Sequence, residues 1–159
     1  MEYKKEPLVY REQGLVYLFS RYWDKLLEFQ NKILYDIHTH FPDFIMIDAK
    51  NRSYSEGVEF EYNLSSFDSH LKQLKNLKED NINCLTIVFW DQDCDIDELK
   101  RKIKDKYKEL SIKFVCFKNY FSPIVVKGKK NLEGYWQFSG EGLEFRNFYT
   151  FQSVLEETK

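Results

Sequence analysis

The chain has 159 residues with 14 Phe, 11 Tyr and 3 Trp, and a formal net charge of −2. That length suits one domain with a real hydrophobic core, and that aromatic content excludes a disordered chain. The near-neutral total excludes a uniformly basic nucleic-acid binder, and no apolar run approaches membrane-spanning length.

The three cysteines are an odd number, and Cys84 and Cys116 sit inside apolar stretches where a free thiol behaves as a small hydrophobe. With a start (Met1 to Pro7) that lacks the apolar core of an export signal, this predicts a cytoplasmic protein with no membrane partner. Apolar residues Leu15, Leu18, Phe19, Tyr22, Leu26, Phe29 and Ile33 recur at steps of three and four, which predicts one long amphipathic helix from Glu12 to Ile33. Phe44 to Ile47 reads as a strand, residues 51–57 as a hairpin loop, and 58–63 as the next strand. Ser65 and Ser66 predict the cap of a helix running to about Lys78 that buries Phe67, Leu71 and Leu74. The unbroken apolar run from Cys84 to Trp90 predicts a strand covered on both faces. Asp95 and Asp97 then favour the start of a helix that ends near Ser111, and 112–117 is the following strand. Beyond it, Ile124 to Val126, a basic turn at Lys127 to Lys130 and aromatic stretches around Gly140 to Gly142 predict a small β extension.

This order predicts an α/β fold: a central mixed β-sheet of four or five strands with helices on both faces. A single domain should span 1–159, with its core at about 12–118 and the β-rich C-terminal extension at about 119–159.

The chemistry concentrates in three acids, Asp43 behind Pro42, and Glu59 and Glu61 in Val58-Glu59-Phe60-Glu61-Tyr62. In a strand, Glu59 and Glu61 share a face and Phe60 takes the other. Two buried neighbouring carboxylates repel one another unless a cation or a donor sits between them. Asp43 from an adjacent strand would complete an oxygen-lined pocket suited to Mg²⁺ or Mn²⁺. The alternative is an edge strand whose acids stand in water.

The series helix, strand with Pro-Asp, hairpin, strand with Glu-x-Glu, helix, strand resembles the core order of the PD-(D/E)xK nuclease superfamily. The resemblance rests on Phe41-Pro42-Asp43, on Glu59-Phe60-Glu61, on Ser65-Ser66-Phe67 with His70, and on Cys84 to Asp93. It covers about Glu12 to Asp95. It implies a restriction-endonuclease-like core and a metal-dependent endonuclease that hydrolyses phosphodiester bonds in DNA, with RNA as a further substrate. Asp43 and Glu59 would be metal ligands and Glu61 a ligand or water-orienting catalytic partner, while His70, one turn into its helix, either contacts a phosphate or finishes the helix surface. Superfamily members usually carry Lys where Glu61 stands, some carry Glu or Gln, and Lys50 and Lys72 are the substitutes to weigh. Glu12 resembles an extra acid that some members place near the metals. Two copies, as a homodimer, would be the usual way to cut both strands.

Residues 97–130 hold eleven Lys/Arg against four Asp/Glu, a local +7 that leaves −9 elsewhere. Lys100, Lys104 and Lys108 recur every four residues as a stripe, and Lys104 and Lys108 are the expected nucleic-acid contacts, against the plainer reading of a solvated helix face. Three alternatives remain open. One is a catalytically degenerate module that kept the scaffold and binds nucleic acid or a protein. Another uses His38 and His40 as ligands of one zinc. The third takes Asp36 and Asp48-Ala49-Lys50 as the acid-x-Lys pair.

Overall fold

The computed structural model describes residues 9–38, 40–127, 132–138 and 146–149. Helix α1 (Glu12–Tyr22) leads to β1 (Lys32–Ile37), β2 (Phe44–Asp48) and β3 (Ser55–Asn63). A 3-10 segment (Leu64–Gln73) and a short α2 (Leu74–Glu79) then cross over to β4 (Cys84–Asp91). Helix α3 (Ile96–Lys106) carries the chain to β5 (Ser111–Cys116). The five strands form one sheet in the order β1-β2-β3-β4-β5, antiparallel across the first two pairings and parallel across the last two. A parallel step needs a crossover, and the two helical connections supply it. The α/β class and the mixed sheet flanked by helices are therefore as the residue pattern predicts.

Alternation along each strand decides which helix it meets. Val58 and Phe60 of β3, Phe44 and Met46 of β2, and Val88 and Trp90 of β4 face α1, where Phe19 lies 4.9 Å from the Phe60 ring and 5.9 Å from Phe117. Ile45, Leu85, Ile87 and Phe89 face the other way, against Leu64, Phe67, Leu74, Leu77, Leu99 and Ile103. β4 is buried along seven of its eight residues because both layers press on it. Each fully buried aromatic ring adds roughly 2–3 kcal/mol of hydrophobic stabilisation.

The C-terminal extension is a second sheet, β6 (Phe121–Lys127), β7 (Leu132–Phe138) and β8 (Arg146–Tyr149), antiparallel in sequence order. Phe121 and Phe138 bind it to the α1 layer, with Phe138 stacked on Tyr22 at 4.3 Å. Residues 1–7, Gly128 to Lys130 of the basic turn and Gly140 to Gly142 lie outside the described residues. Among the described residues no helix is long and apolar enough to cross a membrane.

Four boundaries differ from the sequence reading, the simplest being β3, which begins at Ser55 because residues 55–57, expected in the hairpin loop, pair with Ile45 to Ile47. The first helix stops at Tyr22, and two 3-10 turns (Trp23–Lys25 and Leu27–Phe29) follow. Leu26 is extended (φ −85°, ψ 138°), which breaks the helix and lets Phe29 come back to 5.2 Å from Phe19, and Asn31 is left-handed (φ 62°) just before β1. Leu26 and Phe29 keep helical spacing because they fill the same core. Ile33 instead belongs to β1, an edge strand whose mostly exposed residues erase any alternation signal, and it pairs with Ile47. The segment after β3 is mainly 3-10, and Ser65 does not cap it. Its N–H and hydroxyl both donate to the Asp93 carboxylate, tying the start of that segment to the end of β4. Asp95 does cap α3, accepting from the N–H groups of Asp97 and Glu98, and that helix ends at Lys106 rather than near Ser111.

Gly57 on β3 lies under the Phe41-Pro42-Asp43 corner. A methyl group there would stand 3.2 Å from Pro42 Cγ and 3.3 Å from Leu85 Cδ1. Gly57→Ala is expected to cost about 1–3 kcal/mol in urea unfolding and, by lifting Pro42, to weaken any ligand held at Asp43 and Glu59. A loss under about 0.3 kcal/mol would show that the corner yields freely.

Candidate metal centre

β3 carries the site because a central strand points alternate side chains at opposite layers. Phe60 goes into the α1 layer, and Glu59 and Glu61, only 3% and 4% exposed, turn to the opposite face. The β2–β3 register that pairs Phe44 with Val58, carried one step further, brings Asp43 beside Glu59. Two bonds lock them: the Asp43 N–H donates to Glu59 Oε2 (3.0 Å) and the Phe60 N–H donates to Asp43 Oδ2 (3.0 Å). Pro-Asp thus serves as a corner that continues the strand pairing with a carboxylate.

The 3-10 segment returns over this face and delivers His70. Its Nε2 lies 3.0 Å from Glu61 Oε1 and 3.3 Å from Glu59 Oε1. Its Nδ1 lies 2.6 Å from Gln73 Oε1, an amide oxygen that can only accept, so Nδ1 carries the hydrogen. The ring is held flat against Phe41 (5.4 Å, 18°) and touches Phe67 (5.8 Å). With its hydrogen on Nδ1, a neutral imidazole has none to give the glutamates, and Glu61 Oε1 is buried without a hydrogen-bond partner. The oxygen and nitrogen ligand atoms of Glu59, Glu61 and His70 all lie within 4.8 Å of one another, a spacing that can hold a metal ion.

The electrostatics are those of a pocket short of positive charge. Burial, then repulsion from Asp43, Glu61 and Glu12, pushes the Glu59 carboxyl up to about 9. Burial, then Glu12 and Asp43, pushes Glu61 up to about 8. Asp43 is raised by burial, against the lowering effect of the Phe60 N–H and His70. Glu12, in the first turn of α1, is raised by burial and by Asp43 and lowered by His70, so it belongs to the same electrostatic group.

The structure therefore gathers Asp43, Glu59, Glu61 and His70. His70, expected to contact a phosphate or to finish the helix surface, has its Nε2 against the two glutamates. Gln73, three residues on, went unremarked in the sequence, although a carboxamide one 3-10 turn from a histidine was the available signal. Lys104, Lys108 and Lys50 lie at the other end of the sheet. Glu56 is level with Cys84 and Ser111, while Glu61 is level with Phe89 and Cys116, so the two ends of the sheet are roughly 16 Å apart along the strands. Lys104 is at the Ser111 end, where its ammonium group donates to the carbonyls of Lys108 (3.4 Å) and Leu110. Lys108 follows the end of α3 as an exposed turn residue, so the helical stripe is broken there. Lys50 lies past Asp48, at the end of β2 remote from Asp43, and Lys72 is exposed.

The acid-x-Lys alternative is not assembled. Asp36 bonds His38 Nε2 (2.8 Å) near the Ile45 end of the pairing, whereas Asp48 lies opposite Lys32. His38 and His40 stack on each other at 4.8 Å, but among the described residues they belong to no three-ligand group. The three cysteines are free thiols. No protein-family model matches the chain, and no curated protein matches it.

Proposed function

We propose that this protein is a divalent-metal-dependent endonuclease that hydrolyses phosphodiester bonds in DNA on a PD-(D/E)xK-like core. The observation that carries the reading is the buried Glu59, Glu61 and His70 cluster beside Asp43, on a strand bonded to an antiparallel partner on one side and a parallel one on the other. The donor set fits a divalent cation, because Glu61 Oε1 has no other buried partner and two carboxyls are held far above their ordinary range. Mg²⁺ or Mn²⁺ bound there would lower the pKa of its water and shield the charge developing on a phosphate.

The remaining work falls to the chain. Glu59, Glu61 and His70 would hold the cation, the Asp43 carboxylate beside them would be the further ligand that the superfamily resemblance implies, and the Asp43 N–H fixes the rotamer of Glu59. Glu12, Asp43, Glu59 and Glu61 line a pocket in which, among the described residues, no lysine or arginine pairs with them, so a bound cation should be what draws the phosphates of nucleic acid to it. Cleavage of plasmid, single-stranded DNA and RNA in Mn²⁺ is the test, with Asp43→Ala and Glu59→Ala as controls expected to abolish it. No cleavage of any substrate, or equal cleavage by the double variant, defeats the enzymatic reading.

A second reading, a binding module that has lost its chemistry, is favoured by Glu61 in the position the superfamily usually gives to Lys. It predicts a nucleic-acid or protein partner bound equally well in EDTA and in Mn²⁺.

A further inference from the structure

We infer that His70 is a metal ligand held in place by Gln73, and that its imidazole makes the centre select Mn²⁺ over Mg²⁺. The inference rests on the metal-binding part of the proposal above and not on cleavage. Three observations carry it. His70 Nε2 lies 3.0 and 3.3 Å from the two buried carboxylates, and all three groups offer ligand atoms within 4.8 Å of one another. Nδ1 donates to Gln73 Oε1, the outer hydrogen bond that fixes the tautomer and ring direction of a metal-binding histidine and leaves the Nε2 lone pair facing inward. Glu61, with a side chain 5% exposed, has an oxygen with no hydrogen-bond partner aimed at the same point.

The composition of the donor set then decides the ion. Mg²⁺ is small and hard, keeps several waters, and gains little from an imidazole. Mn²⁺ is the larger and softer of the two ions and gives up its waters more readily, so it accepts an imidazole nitrogen beside carboxylates more tightly than Mg²⁺ does. The Phe41 and Phe67 rings against His70 keep the imidazole from swinging out to suit an all-oxygen ion. Gln73 touches neither carboxylate by a hydrogen bond and acts only through His70, so it is a positioning residue.

The test uses the full chain and the metal salts alone, by calorimetric titration with MnCl₂ and MgCl₂ after EDTA treatment and without nucleic acid. Wild type is expected to bind Mn²⁺ at least about tenfold more tightly than Mg²⁺. His70→Ala should lose most of the Mn²⁺ affinity and erase that preference while changing Mg²⁺ binding little. Gln73→Leu should weaken Mn²⁺ binding by about 10–100-fold, and Gln73→Glu, which still accepts from Nδ1, should restore it. Electron spin-echo spectra of bound Mn²⁺ should show imidazole nitrogen in wild type and in Gln73→Glu, and none in His70→Ala. Circular dichroism verifies the fold of each variant, and the nitrogen signal in wild type tests ligation without any variant. Equal affinities for the two ions, or bound Mn²⁺ with no nitrogen signal, overturns the inference. Mn²⁺ held through His70 by a protein that cuts nothing leaves the inference standing and removes the nuclease reading instead.

Discussion

Glu59→Gln combined with Glu61→Gln is expected to stabilise the metal-free protein while abolishing its binding of divalent cations. Both carboxyls are raised chiefly by burial, Glu59 to about 9 and Glu61 to about 8 from an ordinary 4.5, so their charged forms are disfavoured in the fold. A group with a raised folded pKa gives stability that is full below its unfolded value and is lost as pH climbs through the folded value. Melting temperature in EDTA should therefore fall between about pH 5 and pH 9. The amides keep the shape and can donate an N–H to the Nε2 lone pair of His70 but cannot ionise, so the double variant should show a flatter curve. An uncompensated buried carboxylate costs several kcal/mol, and relief of about 2 kcal/mol at pH 9 corresponds to roughly 4–8 °C in a domain of this size. Mn²⁺ should reverse the fall for wild type, by about 2.7 kcal/mol at a hundredfold excess over Kd, and should not move the variant. A double variant that melts below wild type at pH 9 in EDTA would show that the pocket is not strained by charge.

Lys32→Met should cause the largest single loss of stability at a site remote from the metal centre. Glu56 on β3 is fully buried, accepts from the Thr86 hydroxyl, and has its other oxygen 3.4 Å from Lys32 Nζ with no hydrogen bond besides. Lys32 also reaches Asp48 (3.8 Å) and lies over the Tyr54 ring at 4.7 Å, with its side chain 10% exposed. Removing the ammonium strands a buried carboxylate, at a cost of about 3–5 kcal/mol, a large share of a domain's total. Adding Glu56→Gln to Lys32→Met should recover most of it, because the amide still accepts from Thr86 and carries no charge. Urea unfolding of the two variants measures both steps. A loss below about 1 kcal/mol for Lys32→Met would mean that water reaches Glu56. The pair pins β1 to the sheet near the hairpin, the end opposite to Glu61.

These two ionic groups differ in what the sequence reveals. Glu59 and Glu61 stand out because a period of two on a strand puts them on one face, and Pro42-Asp43 marks a corner beside them. Glu56 shares that strand and is as deeply buried, but its partner lies 24 residues earlier on a strand whose pattern carries no signal. Similarly, Lys104 looked like one of a stripe of free lysines, and only the turn after α3 shows its charge spent on two carbonyls.

The sequence by itself determined the class of fold, the positions of β2, β4 and β5, the cap of α3 and the pairing of faces on β3, because each follows from local periodicity and capping chemistry. The tertiary structure alone decided where α1 ends, since Leu26 and Phe29 keep helical spacing while serving one core from a folded-back chain. It also decided that β1 exists, because an exposed edge strand owes its structure to its neighbour rather than to its own pattern. Finally, it decided that His70 faces Glu59 and Glu61 with Gln73 behind it. That arrangement follows a 3-10 path tethered at its start by the bonds from Ser65 to Asp93, a contact across 28 residues that local pattern does not encode.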